Sequence, residues 1–293
     1  MIYSIENSVL KISVDTLGAQ LMSFYSKKTD TEYLWQGDKA YWTGRAYNLF
    51  PIIGRMFNNI HTYKDKEYTI RAHGVARYNE FVLEERSATK LVFLLKDNET
   101  TFAEYPFHFE FRVFFEIVDS RLNVRYEAKN VGDEMMPCAF GGHPGINVPF
   151  GEGCFEDYYL EFSEKTNVHR QLLSDSIRYM ANKAVPFALE DGVRLPLRHD
   201  LFDFDAVILE NTSRCVSIKS SKDSRYVTME YPDYKYIGFW HVDHTDAPYV
   251  CLEPWGALPA EDGVTEDLST KKDMIHVQPN AKAEAFYCLE IHE

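Results

Sequence analysis

Two short segments carry the residue types best suited to chemistry: Phe140-Gly141-Gly142-His143-Pro144-Gly145 and Cys251-Leu252-Glu253-Pro254-Trp255. Each sets one titratable side chain where a β-strand is expected to end in residues that do not continue it. One segment brings an imidazole and the other a carboxylate. A reaction that moves one proton onto a small polar molecule and another off it needs such a pair. Read alone, His143 could be a turn residue and Glu253 one half of a structural ion pair. A carboxylate closing the apolar run Tyr249-Val250-Cys251-Leu252 is nonetheless costly unless it is paired, hydrogen-bonded or used. Trp255 beside it offers a flat apolar face of the kind on which the C–H patches of a sugar can stack, and a core tryptophan is equally common.

Further polar candidates lie upstream. His73 and Arg77 share Ala72-His73-Gly74-Val75-Ala76-Arg77, a short polar connection before a strand, and both could face a pocket. Arg55 in Pro51-Ile52-Ile53-Gly54-Arg55 and Arg45 in Trp42-Thr43-Gly44-Arg45 are cationic candidates, with solvated surface as the plain alternative. Asp205, which opens the apolar run after Phe204, is either a turn residue or an acceptor for hydroxyl groups. No phosphate-loop or dinucleotide-type glycine pattern occurs, and no nucleophile elbow. His241 and His244 are three apart, but Gly238 to Val242 reads as a strand running into a turn, so no metal site is expected there.

Strands must position these groups. In Phe107 to Val113 the phenylalanines and the valine share one face and polar residues oppose them, and Leu122 to Glu127 repeats the pattern. Period-two alternation is the signature of half-buried strands. Similar runs fall at 8–14, 19–26, 80–86, 90–96, 214–219, 226–230, 236–241 and 283–291, punctuated by Asn, Asp, Gly and Ser. Short helices are expected only at 98–104 and 260–265, and 150–200 reads as an irregular excursion. The expectation is an all-β fold of antiparallel sheets with less than about 15% helix, against the usual one-third. No linker divides the chain, so residues 1–293 are expected to form a single domain.

Composition narrows the partners. Forty-five acidic against 31 basic residues give a net charge of −14. That argues against a nucleic acid or an anionic membrane as partner, though not against a small anion held by a few arginines. The five cysteines show no CxxC or CxxH spacing and read as free thiols in a reducing compartment. No signal-peptide pattern opens the chain, and no apolar run approaches the roughly 20 residues of a membrane span. A soluble cytoplasmic monomer or weak homodimer is expected.

Taken together, these segments resemble the aldose 1-epimerase (galactose mutarotase-like) family, in particular its LacX-like branch, along nearly the whole chain. Phe50-Pro51-Ile52-Ile53-Gly54-Arg55 is similar to the family's glycine–arginine segment, His73-Gly74 to its first histidine, His143 to its second, and Glu253 to its base. Asp205 resembles the aspartate that binds hydroxyls. The resemblance implies a β-supersandwich and cofactor-independent interconversion of α and β anomers, with His143 as acid, Glu253 as base, and Arg55, His73, Asp205 and Trp255 at the substrate. Met56-Phe57-Asn58-Asn59-Ile60 lacks the family's second arginine. His-Gly-x-x-Arg instead resembles the hexose-6-phosphate epimerase branch, which implies a phosphate-binding role for Arg77, with Arg45 near the position of a second such arginine. The partner implied is a sugar or sugar phosphate. A carbohydrate-binding protein without turnover is the competing class.

Overall fold

A computed structural model describes residues 1–176 and 178–293. Strands make up 49% of the chain and helices 7%, as the alternation predicts. Two antiparallel sheets dominate. The larger has nine strands, in the order Arg194–Pro196, Tyr158–Phe162, Cys215–Ser220, Tyr226–Glu230, Lys282–His292, Arg121–Asn130, Phe109–Val118, Lys90–Lys96 and Val82–Arg86. The other has seven: Met180–Pro186, His169–Leu173, Val207–Glu210, Tyr236–Trp240, Tyr249–Trp255, Gly141–Asn147 and Ala46–Leu49. A four-stranded sheet formed within residues 2–32 and two hairpin-sized pairs complete the architecture, and among the described residues no sheet closes into a barrel.

The inner faces of the two large sheets meet in an aromatic core. Phe111 of the nine-stranded sheet stacks on Phe50 at 4.3 Å between ring centres. Tyr126 donates from its hydroxyl to Asn48 Oδ1 at 2.8 Å, tying the sheets together where both residues are buried. Gly142 permits the closest approach, since a Cβ there would lie 2.9 Å from the Tyr287 ring. Alternation then decides which side chains leave the core. Asn48 and Gly142 point inward, so Tyr47 and His143 point to the opposite face. Glu253 pairs across the sheet with Gly238, and its parity places it on that outer face as well.

Three expectations need correction. His143 and Glu253 lie within central strands rather than at strand ends. The pairing of Gly141–Asn147 with Tyr249–Trp255 runs Gly141–Trp255 and then Gly145–Cys251, and Pro144, with no N–H to donate, falls in the interval between them. The segment 260–265 is a turn, not a helix. Its backbone is tied to other segments, Ala260 N–H donating to Arg55 O at 2.8 Å and Ala260 O accepting from Met180 N–H at 2.9 Å. The stretch 150–200 supplies four strands to the two sheets. The expected helix forms at Glu99–Glu104, capped by the Asn98 side chain.

Candidate active site

A cavity of about 250 Å³ opens on the outer face of the seven-stranded sheet. Glu253, Trp255, His143, Tyr47, Trp240 and Ile208 rise into it from the strands, and loops supply Trp42, Arg55, His73, Arg77, Arg178, Asp205 and Pro259. Of the residues singled out in the sequence, all but Arg45 line this cavity. The Arg45 guanidinium is held elsewhere, donating to Met22 O at 2.7 Å and Gln36 Oε1 at 2.6 Å. It faces the residue 20–36 region instead of the cavity.

His143 and Glu253 form the centre. Their Nε2 and Oε2 atoms are 3.2 Å apart, and the residues are 7% and 1% exposed. Burial pushes Glu253 well above the carboxylate range, and the nearby Asp205 charge adds to that. Burial, then the Arg77 charge, pushes His143 down to about 3. Loss of hydration therefore favours the neutral form of both groups, and at this separation the pair can hold one proton between them. Cys251 lies two residues before Glu253 on the same face, and donor atoms of the three residues fall within 4.8 Å of one another. Burial, then Glu253, holds the Cys251 thiol well above its ordinary range. No metal role is assigned to this trio.

The His73 loop is set by close backbone approach. Gly74 has φ +78°, and a Cβ there would sit 2.2 Å from Phe50 O, so only glycine fits. The preceding His73 shares the left-handed conformation, at φ 65°. Gly54 N–H donates to His73 Nδ1 at 3.2 Å, which leaves Nε2 as the protonated nitrogen of the neutral ring. His73 is only half-buried by area, yet loss of hydration, followed by His143, Arg77 and Arg55, pushes it well below its ordinary value. Asp205 is raised to about 6, first by burial. The Arg77 guanidinium lies 3.6 Å from the centre of the Tyr47 ring. Ion pairs engage Arg71, Arg112, Arg121, Arg125, Arg194, Arg198 and Arg225. Among the described residues, none engages Arg55, Arg77 or Arg178.

Three buried polar atoms of lining residues have no partner among the described residues, His143 Nδ1, Trp255 Nε1 and Arg77 Nε, and Glu253 Oε2 has only its 3.2 Å contact with His143 Nε2. Such atoms are costly unless something else satisfies them. Geometry of this kind fits a small molecule rich in hydroxyls.

Comparison with known proteins agrees. The family model described as aldose 1-epimerase matches residues 1–260. The chain belongs to the aldose 1-epimerase family. It is 33% identical over 280 residues to the plasmid-encoded protein LacX of Lactococcus lactis subsp. lactis, covering 91% of this chain and 92% of that one. A galactose mutarotase related enzyme from Lactobacillus acidophilus superposes with a TM-score of 0.94 at 34% identity, over 100% of this chain and 98% of that chain. A galactose mutarotase-like protein from Lactobacillus casei gives 0.94 at 29% identity, over the full length of both. Membership in this family, which acts on sugars, is consistent with the antiparallel β fold and with binding of a small sugar.

Sequence reasoning missed Trp42, Tyr47, Trp240 and Arg178. Trp240 could have been found from strand parity, because it lies two residues beyond Gly238, the partner of Glu253. That inference needs the register, which a single sequence does not supply. Arg178 carries no signal of its own. It reaches the cavity because it sits between the strands His169–Leu173 and Met180–Pro186.

Proposed function

We propose that the cavity interconverts the α and β anomers of an aldose by opening and reclosing the sugar ring, without a cofactor. The observation that carries this reading is the buried pair His143–Glu253 at 3.2 Å. With closed sugar bound, Glu253 takes the proton of the C1 hydroxyl and His143 gives a proton to the ring oxygen. The C1–ring oxygen bond breaks and C1 becomes an aldehyde. Rotation about C1–C2 presents the other face, and closure returns each proton. The pair holds one proton throughout: Glu253 ionised with His143 charged beside the ring, both neutral beside the open chain. Burial favours the neutral arrangement, so the pocket stabilises the pair at the stage where the ring is open.

In this reading His73 donates from Nε2 to a sugar oxygen, Asp205 accepts from a hydroxyl, Arg55 and Arg77 bind oxygens, and Trp255 offers its unpartnered N–H and its ring. Glu253→Gln keeps shape and removes the base; His143→Asn removes the acid. Each is expected to lower kcat by about 10² or more while sugar binding persists. Full activity in folded Glu253→Gln would contradict the assignment of the base.

One observation favours an anionic sugar, such as a hexose 6-phosphate. Three arginines line the cavity and none forms an ion pair among the described residues, in a chain of net charge −14. A guanidinium matches phosphate with a planar fork of donors. Arg77→Ala is then expected to lower kcat/KM for a 6-phosphate about tenfold more than for the free sugar. Equal losses on both would remove phosphate recognition from Arg77.

A further inference from the structure

The His143 ring sits in an aromatic box. Trp42 stacks on it at 4.9 Å between ring centres, with planes 29° apart. Trp240 and Tyr47 meet it edge-on at 5.6 and 6.0 Å. Trp42 is itself fixed, standing edge-on to Tyr47 at 5.4 Å and to Trp240 at 5.6 Å. Its loop is pinned at both ends. Trp35 Nε1–H donates to Trp42 O at 2.8 Å, and Trp35 stacks on Tyr249 at 4.6 Å. On the other side Arg45 anchors the loop through Met22 O and Gln36 Oε1.

The titratable and charged groups about His143 are Glu253, Arg77, His73 and Cys251. Arg77 opposes a positive charge on the ring. His73 and Cys251 are held neutral by burial. Besides Glu253, a backbone hydrogen bond favours the charged ring, and so does the stacked indole face of Trp42, whose negative centre attracts a cation. The face Trp42 turns to His143 is occupied by the imidazole and is closed to a sugar.

We propose that Trp42 is a positioning residue for proton transfer: its indole face holds the His143 ring with Nε2 toward Glu253 and stabilises the imidazolium that gives its proton to the ring oxygen. The proposal rests on the ring-opening reading above for its kinetic consequence, and on geometry alone for its effect on His143. Trp42→Leu keeps bulk and removes the π-face; Trp42→Phe keeps a smaller one. In a mutarotation assay Trp42→Leu is expected to lower kcat about tenfold with KM within about twofold of wild type, and Trp42→Phe to restore most of the loss. In sugar-free protein at neutral pH, the imidazole ¹⁵N resonances of His143 are expected to show a hydrogen bond between Nε2 and Glu253 that is weakened in Trp42→Leu. The resonance measurement stands even if no sugar is turned over, so failure of the ring-opening reading is told apart from failure of this one. A raised KM with unchanged kcat would make Trp42 a sugar platform and overturn the proposal, as would an unweakened hydrogen bond between His143 Nε2 and Glu253. Should Trp42→Leu not fold, Trp42→Phe carries both readouts with smaller shifts, and no shift there overturns it too.

Discussion

Asp205 is held at a pKa of about 6, first by burial, so its charge changes within the working range of most sugar enzymes. Above that value it is a carboxylate and a strong acceptor for a hydroxyl; below it, a neutral acid and a weaker one. KM for the sugar is therefore expected to rise as pH falls through about 6, and Asp205→Asn should flatten that rise. A wild-type KM that stays constant from pH 7 to pH 5, as buffer conditions, would exclude Asp205 as the acceptor. At this scale the site was largely legible. His143, Glu253, His73, Asp205, Arg55, Arg77 and Trp255, singled out because their types sit oddly in apolar or glycine-flanked segments, all line the cavity. Arg45 misled because register is not written in the residue itself. Trp42 and Arg178 stayed hidden because an aromatic or an arginine on a loop has many ordinary explanations.

The strands aim the chemistry, and one loop depends on a single glycine. Gly74 brings the His73 loop against Phe50, whose carbonyl accepts from Val75 N–H at 2.8 Å. Gly74→Ala would set a Cβ 2.2 Å from Phe50 O at φ +78°. It is expected to destabilise the protein by about 2–4 kcal/mol and to weaken sugar binding by displacing His73. An unchanged melting temperature would show that the loop tolerates a different backbone path. Alternation announced the core strands well, as in Phe109–Val118 and Arg121–Asn130, where inward residues alternate with partly exposed ones. It failed for His169–Leu173 and Met180–Pro186, at one edge of the seven-stranded sheet, where few side chains are buried and no period forms. The central strands that carry His143 and Glu253 are buried on both faces. Their limits were blurred for the opposite reason, since a uniformly buried run has no alternation to mark where it stops.

The buried apolar cluster draws on residues from both large sheets and from the N-terminal four-stranded sheet, and we propose that residues 1–293 fold as a single domain. Among the described residues, no helix is long and apolar enough to cross a membrane. The molecule carries a net charge of −14, yet three arginines line its cavity, none in an ion pair among the described residues. If the proposed anionic sugar binds, these arginines and not the overall charge would attract it. The direct test of the account is polarimetry, or exchange NMR, on the wild-type protein with galactose, glucose and their 6-phosphates, each started from one anomer. The account predicts approach to anomeric equilibrium faster than in buffer for at least one of the four, with the faster rates on a 6-phosphate if the arginines bind phosphate. Sugar binding without any acceleration over buffer on all four would contradict it and leave a carbohydrate-binding protein on an epimerase scaffold.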